Sequence, residues 1–293
     1  MTDRPDVPRH VTRHRNPLAF LRAARGAYRG DPATESVYAS WAHALAQNES
    51  RVDPPIYLAS CTGGAALHRA AAPVLIGRSA PAAAAVLADD LARDRRAVPG
   101  VIGSRAGCLA FARRWRRHTG CAHRWRMRLR QHGLTSVAAV PVPPGAMRVA
   151  AAADVPWIIG AQLAFRAEAG MSERPSDVAA VVPGRVAGGE IRVWEDGDVV
   201  AYAGCIAVDA AAARIAPVYT APDARGRGYA AALVAALARE LLACGHRALF
   251  LTADAANPTA NSLYARVGFA LVSEQEHFDF VADAVADADA APD

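Results

Sequence analysis

The chain has no lysine; all 33 of its basic side chains are arginine. With alanine abundant as well, this marks a compositional bias, so the net charge of +5 does not by itself indicate nucleic-acid binding. It does favour anionic ligands, phosphates among them. Cysteine is scarce too. Cys61, Cys108, Cys121, Cys205 and Cys244 are odd in number and irregular in spacing, which excludes a disulfide framework and points to a reducing, cytoplasmic compartment. Long apolar runs are missing: the run 230–238 stops at Arg239 and Glu240, too short to cross a bilayer. The Arg- and His-bearing start is not followed by the apolar stretch of a leader peptide. A soluble protein without a targeting segment is expected. What is present is 53% apolar composition over 293 residues, enough to bury two cores.

Patterning along the chain divides it. Residues 1–30 read as a mobile basic N-terminus and 281–293 as a mobile acidic tail, since neither has much to bury. A helix is expected over 33–48, with Val37, Trp41 and Leu45 on one face. A short strand over 73–77 follows, then Ser79 as N-cap with Pro81 in the first turn of a helix reaching 96. Next come a strand at Val101 and Ile102, a helix capped by Ser104 and ended by Gly120, and a strand over 123–131 that alternates arginine with Trp125, Met127 and Leu129. The proline-rich segment 141–146 reads as a linker, placing one domain over 31–140 and another over 147–280.

The second domain opens with a strand over 147–150, Asp154 as a cap and a helix over 157–168. A second helix over 178–182 is cut by Pro183 and Gly184. The segments 191–194 and 199–208, joined by the turn 195–198, form a hairpin. Strand, helix, strand, helix and strand then follow over 214–220, 228–244, 248–252, 257–267 and 269–280. The same order in the N-terminal half points to two copies of one architecture.

Only the second copy has a distinctive loop: Arg225, Gly226, Arg227, Gly228, Tyr229 and Ala230 join a strand to a helix. Small residues at 226, 228 and 230 let a ligand approach the backbone, and the positive helix end would face it, as in a pyrophosphate cradle; taken alone, an ordinary glycine-rich helix entry competes equally with that reading. Pro217 inside the preceding strand cannot donate to a ladder, so the strand is expected to be bulged or splayed there. Further on, Asn257 is positioned as a cap, with Asn261 and Tyr264 along one helix face; for Tyr264 by itself a half-buried packing role is the competing reading.

Over residues 147–280, and most densely over 214–269, these features resemble the GNAT superfamily of N-acetyltransferases. Arg225, Gly228 and Ala230 fit its pyrophosphate loop, and 257–269 its second cofactor motif. The segments 215–220 and 257–261 resemble a bacterial subgroup with a degenerate GNAT-like domain in front of the active one. The resemblance implies α/β (α+β) tandem folds, each a mixed, mostly antiparallel sheet flanked by helices, with a splayed strand pair at the cofactor cleft of the C-terminal copy. It further implies acetyl-CoA as acyl donor, with pantetheine along Val218, Tyr219 and Thr220, pyrophosphate on residues 225–230, and Asn257 and Asn261 nearby.

The implied reaction is direct attack by a primary amine of a small molecule or peptide. A backbone N–H near Val218 or Tyr219 stabilises the oxyanion and Tyr264 protonates the thiolate. Many GNAT enzymes use a glutamate on the strand that here bears Val218, or a water chain, but 214–220 has no carboxylate. Glu168 and Asp254 are the candidates left, each with a solvated or capping role as the competing reading. No metal is expected, because His118, Cys121 and His123 match no common ligand spacing. The degenerate domain would wall the acceptor site or mediate self-association, as a homodimer. Two alternatives stand beside this reading. One is a non-catalytic acyl-CoA-binding or regulatory module. The other is an acetyltransferase of charged tRNA, docked by Arg113, Arg114, Arg116, Arg117 and the arginines of 124–130; a solvated basic surface competes with that docking role.

Overall fold

The computed structural model describes residues 10–28, 30–47, 56–69, 72–171, 175–209 and 211–282. The acidic tail expected over 281–293 lies outside the described residues from 283 on, as do residues 1–9 of the expected basic N-terminus. Along the chain run β1 (Thr12–Arg13), α1 (Pro17–Tyr28), α2 (Pro32–Gln47), β2 (Tyr57–Cys61), β3 (Gly64–His68) and β4 (Val74–Gly77). They are followed by α3 (Pro81–Ala92), β5 (Gly100–Gly103), α4 (Arg105–Thr119) and β6 (Ala122–Leu134). The second half contains β7 (Ala146–Val149), α5 (Val155–Glu168), α6 (Pro175–Ala187), β8 (Ile191–Asp196), β9 (Asp198–Ala207) and β10 (Ala212–Thr220). It ends with α7 (Tyr229–Ala243), β11 (Ala248–Asp254), α8 (Pro258–Val267) and β12 (Ala270–Val281).

The elements gather into two compact units. Among the described residues, the first comprises those up to Gln131, Asp254–Ala256 and those from Val272 on; the second comprises His132–Ala253 and Asn257–Leu271. This differs from a cut at the proline-rich segment, because the C-terminal strand belongs to the first unit, where Glu276–Asp279 pairs antiparallel with β5.

Each unit is a mixed, mostly antiparallel sheet flanked by helices. In the first, β1 to β5 lie in sequence order, antiparallel except for the parallel pair β4 and β5. In the second, β7 to β11 repeat that order and those senses, with β10 and β11 as the parallel pair. Helices occupy matching places in both: two after the first strand, one between the parallel strands and one after them.

Three local expectations are corrected. Residues 10–28 are not a mobile end: they form β1 and α1, because Phe20, Ala24 and Ala27, at spacings of four and three, bury one helix face against Tyr38, Leu58 and Leu67. Burying the Phe20 ring alone is worth about 1.5–3 kcal/mol. Ser79 does not cap α3, whose N-cap is Ala80. Its buried hydroxyl accepts from the Ala65 amide at 3.0 Å and donates to the Ile76 carbonyl at 2.6 Å. Finally, α6 continues through Pro183 and Gly184; Val178, Val182 and Val186 form a buried stripe that outweighs the one backbone hydrogen bond lost at proline. Ser104 does cap α4, accepting from the Gly107 amide at 3.3 Å, and Gly120 ends it in the left-handed conformation.

The second unit has two cores. One face of its sheet packs on α7, with Ala213, Ile215, Leu249 and Leu251 against Leu233, Val234 and Leu237. The other face gathers Ile158, Val182, Val193, Tyr202 and Tyr219. β10 thus stands between two apolar layers, and what it and β11 do at their C-terminal ends positions the site.

Candidate functional site

β10 and β11 pair only over Ala212–Arg214 and Ala248–Phe250, although both strands run on, to Thr220 and Asp254. Beyond that point they splay, as expected from Pro217, and β10 is bulged against β9 between Ile215 and Val218. Past the bulge the pairing resumes as Val218↔Ala203, Tyr219↔Tyr202 and Thr220↔Ala201. The Ala221 amide donates to the Val200 carbonyl at 2.9 Å. Backbone groups alternate in direction along a strand. Tyr219 therefore faces β9 like Ala221, while the N–H and C=O groups of Val218 and Thr220 face the opened side.

The loop that follows is held from both sides. Arg225 donates through Nη2 to both Glu168 oxygens, at 2.8 and 3.0 Å, and through Nε to the Thr220 carbonyl at 3.1 Å. Its guanidinium lies 5.3 Å from the Tyr219 ring centroid, and the Tyr219 hydroxyl reaches Glu168 at 3.3 Å. The hydrogen bond to Glu168 raises the pKa of Arg225. Burial, and then the Glu168 charge, raise that of Tyr219. On the other side the Tyr229 hydroxyl donates to Asp196 Oδ2 at 2.5 Å, and this bond raises the Tyr229 pKa. The Tyr229 ring is buried, so its backbone rather than its side chain borders the loop's open face.

Between these anchors Gly226 and Gly228 take positive φ, +81° and +90°, and a Cβ built at either meets nothing within 4 Å. The first intrahelical bond of α7 runs from the Ala232 amide to the Gly228 carbonyl, at 3.0 Å. The amides of Tyr229, Ala230 and Ala231 therefore have no acceptor within the helix. Arg227 is exposed at the loop's crest. Open space, first-turn amides and an arginine together suit a phosphate chain.

α8 follows β11, the other strand of the splayed pair. Asn257 caps it, its Oδ1 accepting from the Ala260 amide at 3.0 Å, and Asn261 Nδ2 donates to the Asn257 carbonyl at 2.7 Å. Tyr264 is buried, its ring 6.0 Å from Phe269 and 6.2 Å from His132, a neighbour that the sequence does not single out. Burial pushes its pKa up to about 12. Arg214, the last residue of β10 paired with β11, is buried with Nη2 2.6 Å from Thr252 Oγ1, and burial lowers its pKa to about 10.

The two candidate bases carry other contacts. Glu168 is the partner of Arg225, and Asp254 Oδ1 accepts from the Ala256 amide at 2.9 Å, closing a turn. Asp154 stands at the N-cap position of α5, as expected, but its side chain makes no cap bond there; it accepts from the Ala151 amide at 2.7 Å and pairs with Arg148 at 2.6 Å.

The first unit handles its parallel pair differently. β4 and β5 stay paired as far as Gly77↔Gly103, and the Ser104 amide donates to the Gly77 carbonyl at 2.7 Å. A Cβ at Gly103 would stand 2.6 Å from that carbonyl oxygen. The arginine stripe of β6 is largely matched by carboxylates of β12. Arg126 pairs with Asp279 at 3.4 Å, Arg128 with Glu276 at 3.0 Å and Arg130 with Glu274 at 3.1 Å. No helix among the described residues is long and apolar enough to cross a membrane.

Comparison with known proteins agrees with this geometry. No curated protein sequence matches the chain. Among solved structures, it is similar to a GCN5-related N-acetyltransferase from Sphaerobacter thermophilus, 16% identical, with a TM-score of 0.61 over 99% of this chain and 100% of that one. It is also similar to a tandem GNAT protein from the clavulanic acid biosynthesis pathway, 14% identical, with a TM-score of 0.59 over 95% and 99% of the two chains. An acetyltransferase from the GNAT family of Colwellia psychrerythraea is 14% identical, with a TM-score of 0.56 over 92% and 98%. At these identities the likeness is one of fold. The sequence model of the Acetyltransferase (GNAT) family matches residues 168–269, from the Glu168 that holds the loop to the Phe269 that packs on Tyr264. The chain therefore carries, over those residues, a domain of the Acetyltransferase (GNAT) family.

Proposed function

We propose that the chain is an acetyl-CoA-dependent N-acetyltransferase with one working site, in the second unit, which passes the acetyl group directly to a primary amine. The observation that carries this is the splay of β10 from β11 beside a loop whose glycines open onto empty space. Acetyl-CoA, when bound, supplies an activated thioester carbonyl. Val218, through its cleft-facing amide and carbonyl, and Thr220, through its amide, would hold the amide-bearing arm of the donor much as a further strand would be held, the Thr220 carbonyl being already bonded to Arg225. Of the two oxyanion donors considered, Val218 is favoured, since the Tyr219 amide faces β9. Residues 226–231 would hold the pyrophosphate through backbone amides and the helix dipole, with Arg227 on the exposed side.

Tyr264 is the proposed proton donor to the leaving thiolate. A phenol at about 12 is a weaker acid than a thiol near 8.5 by roughly three orders of magnitude, so the transfer is less favourable than for an ordinary tyrosine. The same burial keeps the phenol protonated throughout the physiological range. With Glu168 held by Arg225 and Asp254 closing a turn, the attacking amine is assigned solvent as its base. Pairing of Arg126, Arg128 and Arg130 with carboxylates argues against a tRNA-docking stripe on β6. The test is acetyl-CoA turnover, read as free thiol release, against a panel of amines. Tight CoA binding without turnover on any amine would leave a binding module instead.

A further inference from the structure

At the bulge, three residue steps on β10, from Ile215 to Val218, oppose two on β9, from Cys205 to Ala203. A bulge takes backbone groups off the ladder, and each needs a new partner. Arg185, on the last turn of α6, is in place to supply one. Its Nη2 lies 3.3 Å from the Cys205 carbonyl oxygen and 3.4 Å from that of Ala216, one carbonyl from each strand. Nε pairs with Glu190 Oε2 at 2.9 Å, which fixes the plane of the fork. The side chain is only 16% exposed.

The opposing backbone is shaped to admit it. A Cβ built at Gly204 would stand 2.6 Å from Arg185 Nη2 and 2.5 Å from the Ala216 carbonyl oxygen. Any side chain at 204 would take the space that the guanidinium fills. An arginine from a helix and a glycine from a strand thus meet at one point, the bulge after which the segment bearing Val218 and Thr220 rejoins β9 in a shifted register.

The geometry points to Arg185 as a positioning residue for acyl transfer: by bonding the carbonyls on both sides of the bulge, it sets the direction in which the amides of Val218 and Thr220 enter the cleft. This rests on the functional reading above. A displacement on the order of 1 Å in groups that orient a reaction costs about a hundredfold in rate, so a pin at the bulge has leverage on the chemistry that an ordinary surface ion pair lacks.

Three measurements on the full chain test this. In Arg185→Ala, amide hydrogen exchange should accelerate over 215–220 while α7 keeps its protection, and kcat should fall about tenfold to a hundredfold with a smaller change in acceptor KM. Millimolar guanidinium should restore part of that loss. Glu190→Gln removes the ion pair but leaves both carbonyl contacts, and its kcat should fall by less than about threefold. Wild-type exchange and wild-type kcat in Arg185→Ala would overturn the assignment, and so would a Glu190→Gln variant as impaired as Arg185→Ala. Should Arg185→Ala fail to fold, Arg185→Lys keeps the charge without the fork. Intermediate exchange and rate support the pin, and wild-type values for both overturn it. If the wild-type chain acetylates no amine, the functional reading falls, while exchange over 215–220 still decides whether Arg185 holds the bulge.

Discussion

Arg225 bonds both carboxylate oxygens of Glu168, joining the C-terminal end of α5 to the glycine-bearing loop that follows β10. The pair is about half exposed on each side, so it is a tether of modest strength, worth about 0–1 kcal/mol to stability. Glu168→Gln is therefore expected to change kcat by less than about threefold and to raise the KM for acetyl-CoA only slightly. Steady-state kinetics across pH would check it. A loss on the order of a hundredfold in kcat, together with disappearance of an acidic limb, would make Glu168 the base after all.

Gly228 separates two effects that a single charged substitution would merge. At φ +90° any other residue is strained, by roughly 1–2 kcal/mol, so Gly228→Ala reports the strain alone. Gly228→Glu adds an anion where the pyrophosphate is proposed to lie. Calorimetry with CoA should show Gly228→Glu weaker than Gly228→Ala by at least about tenfold, or roughly 1.4 kcal/mol. Equal affinities in two folded variants would remove the phosphate from this loop.

Tyr264→Phe is expected to lower kcat and kcat/KM together, by about tenfold to a thousandfold, with CoA affinity nearly unchanged. Because burial raises the folded-state pKa from 10 to about 12, the phenol stays protonated, and its ionisation should produce no fall in kcat below about pH 10. The same shift stabilises the fold below the unfolded pKa, and that contribution is lost as pH rises from about 10 to 12, where the unfolded chain releases the proton first. Tyr264→Phe should therefore lose less stability than wild type across that window. Full activity in the variant, with acetyl transfer rate-limiting, would leave solvent as the proton source.

One CoA per chain is the expected stoichiometry by titration calorimetry. β4 and β5 remain paired to Gly77↔Gly103, and the Ser104 amide closes their ends, so the first unit lacks the opening that β10 and β11 provide. Two molecules bound per chain would contradict this.

The second unit was legible in the sequence because its features are local. Pro217 marks the bulge, the glycines at 226 and 228 mark the loop, and Asn257 caps the helix three residues before the amide it binds. What escaped depends on distant partners. The carbonyls that Arg185 contacts are 20 and 31 residues away, and no spacing announces them. The N-terminal repeat of the architecture was only half visible, because the arginines of α1 masked the buried stripe of Phe20, Ala24 and Ala27. Ser79 looked like a cap beside Pro81, but its hydroxyl is used by Ala65 and Ile76.

Pairing of Glu276–Asp279 with β5, and of Glu274, Glu276 and Asp279 with the arginines of β6, sets an order of events on the ribosome. The strand that finishes the first unit is among the last of the described residues to be synthesised, some 170 positions after the β5 edge it covers. At about 5–20 residues per second, that edge waits on the order of ten seconds or more with its backbone groups unpaired. Nascent first units on neighbouring ribosomes are exposed to joining through it, and a chaperone that shields extended edges should raise the yield of folded protein more than one acting after release.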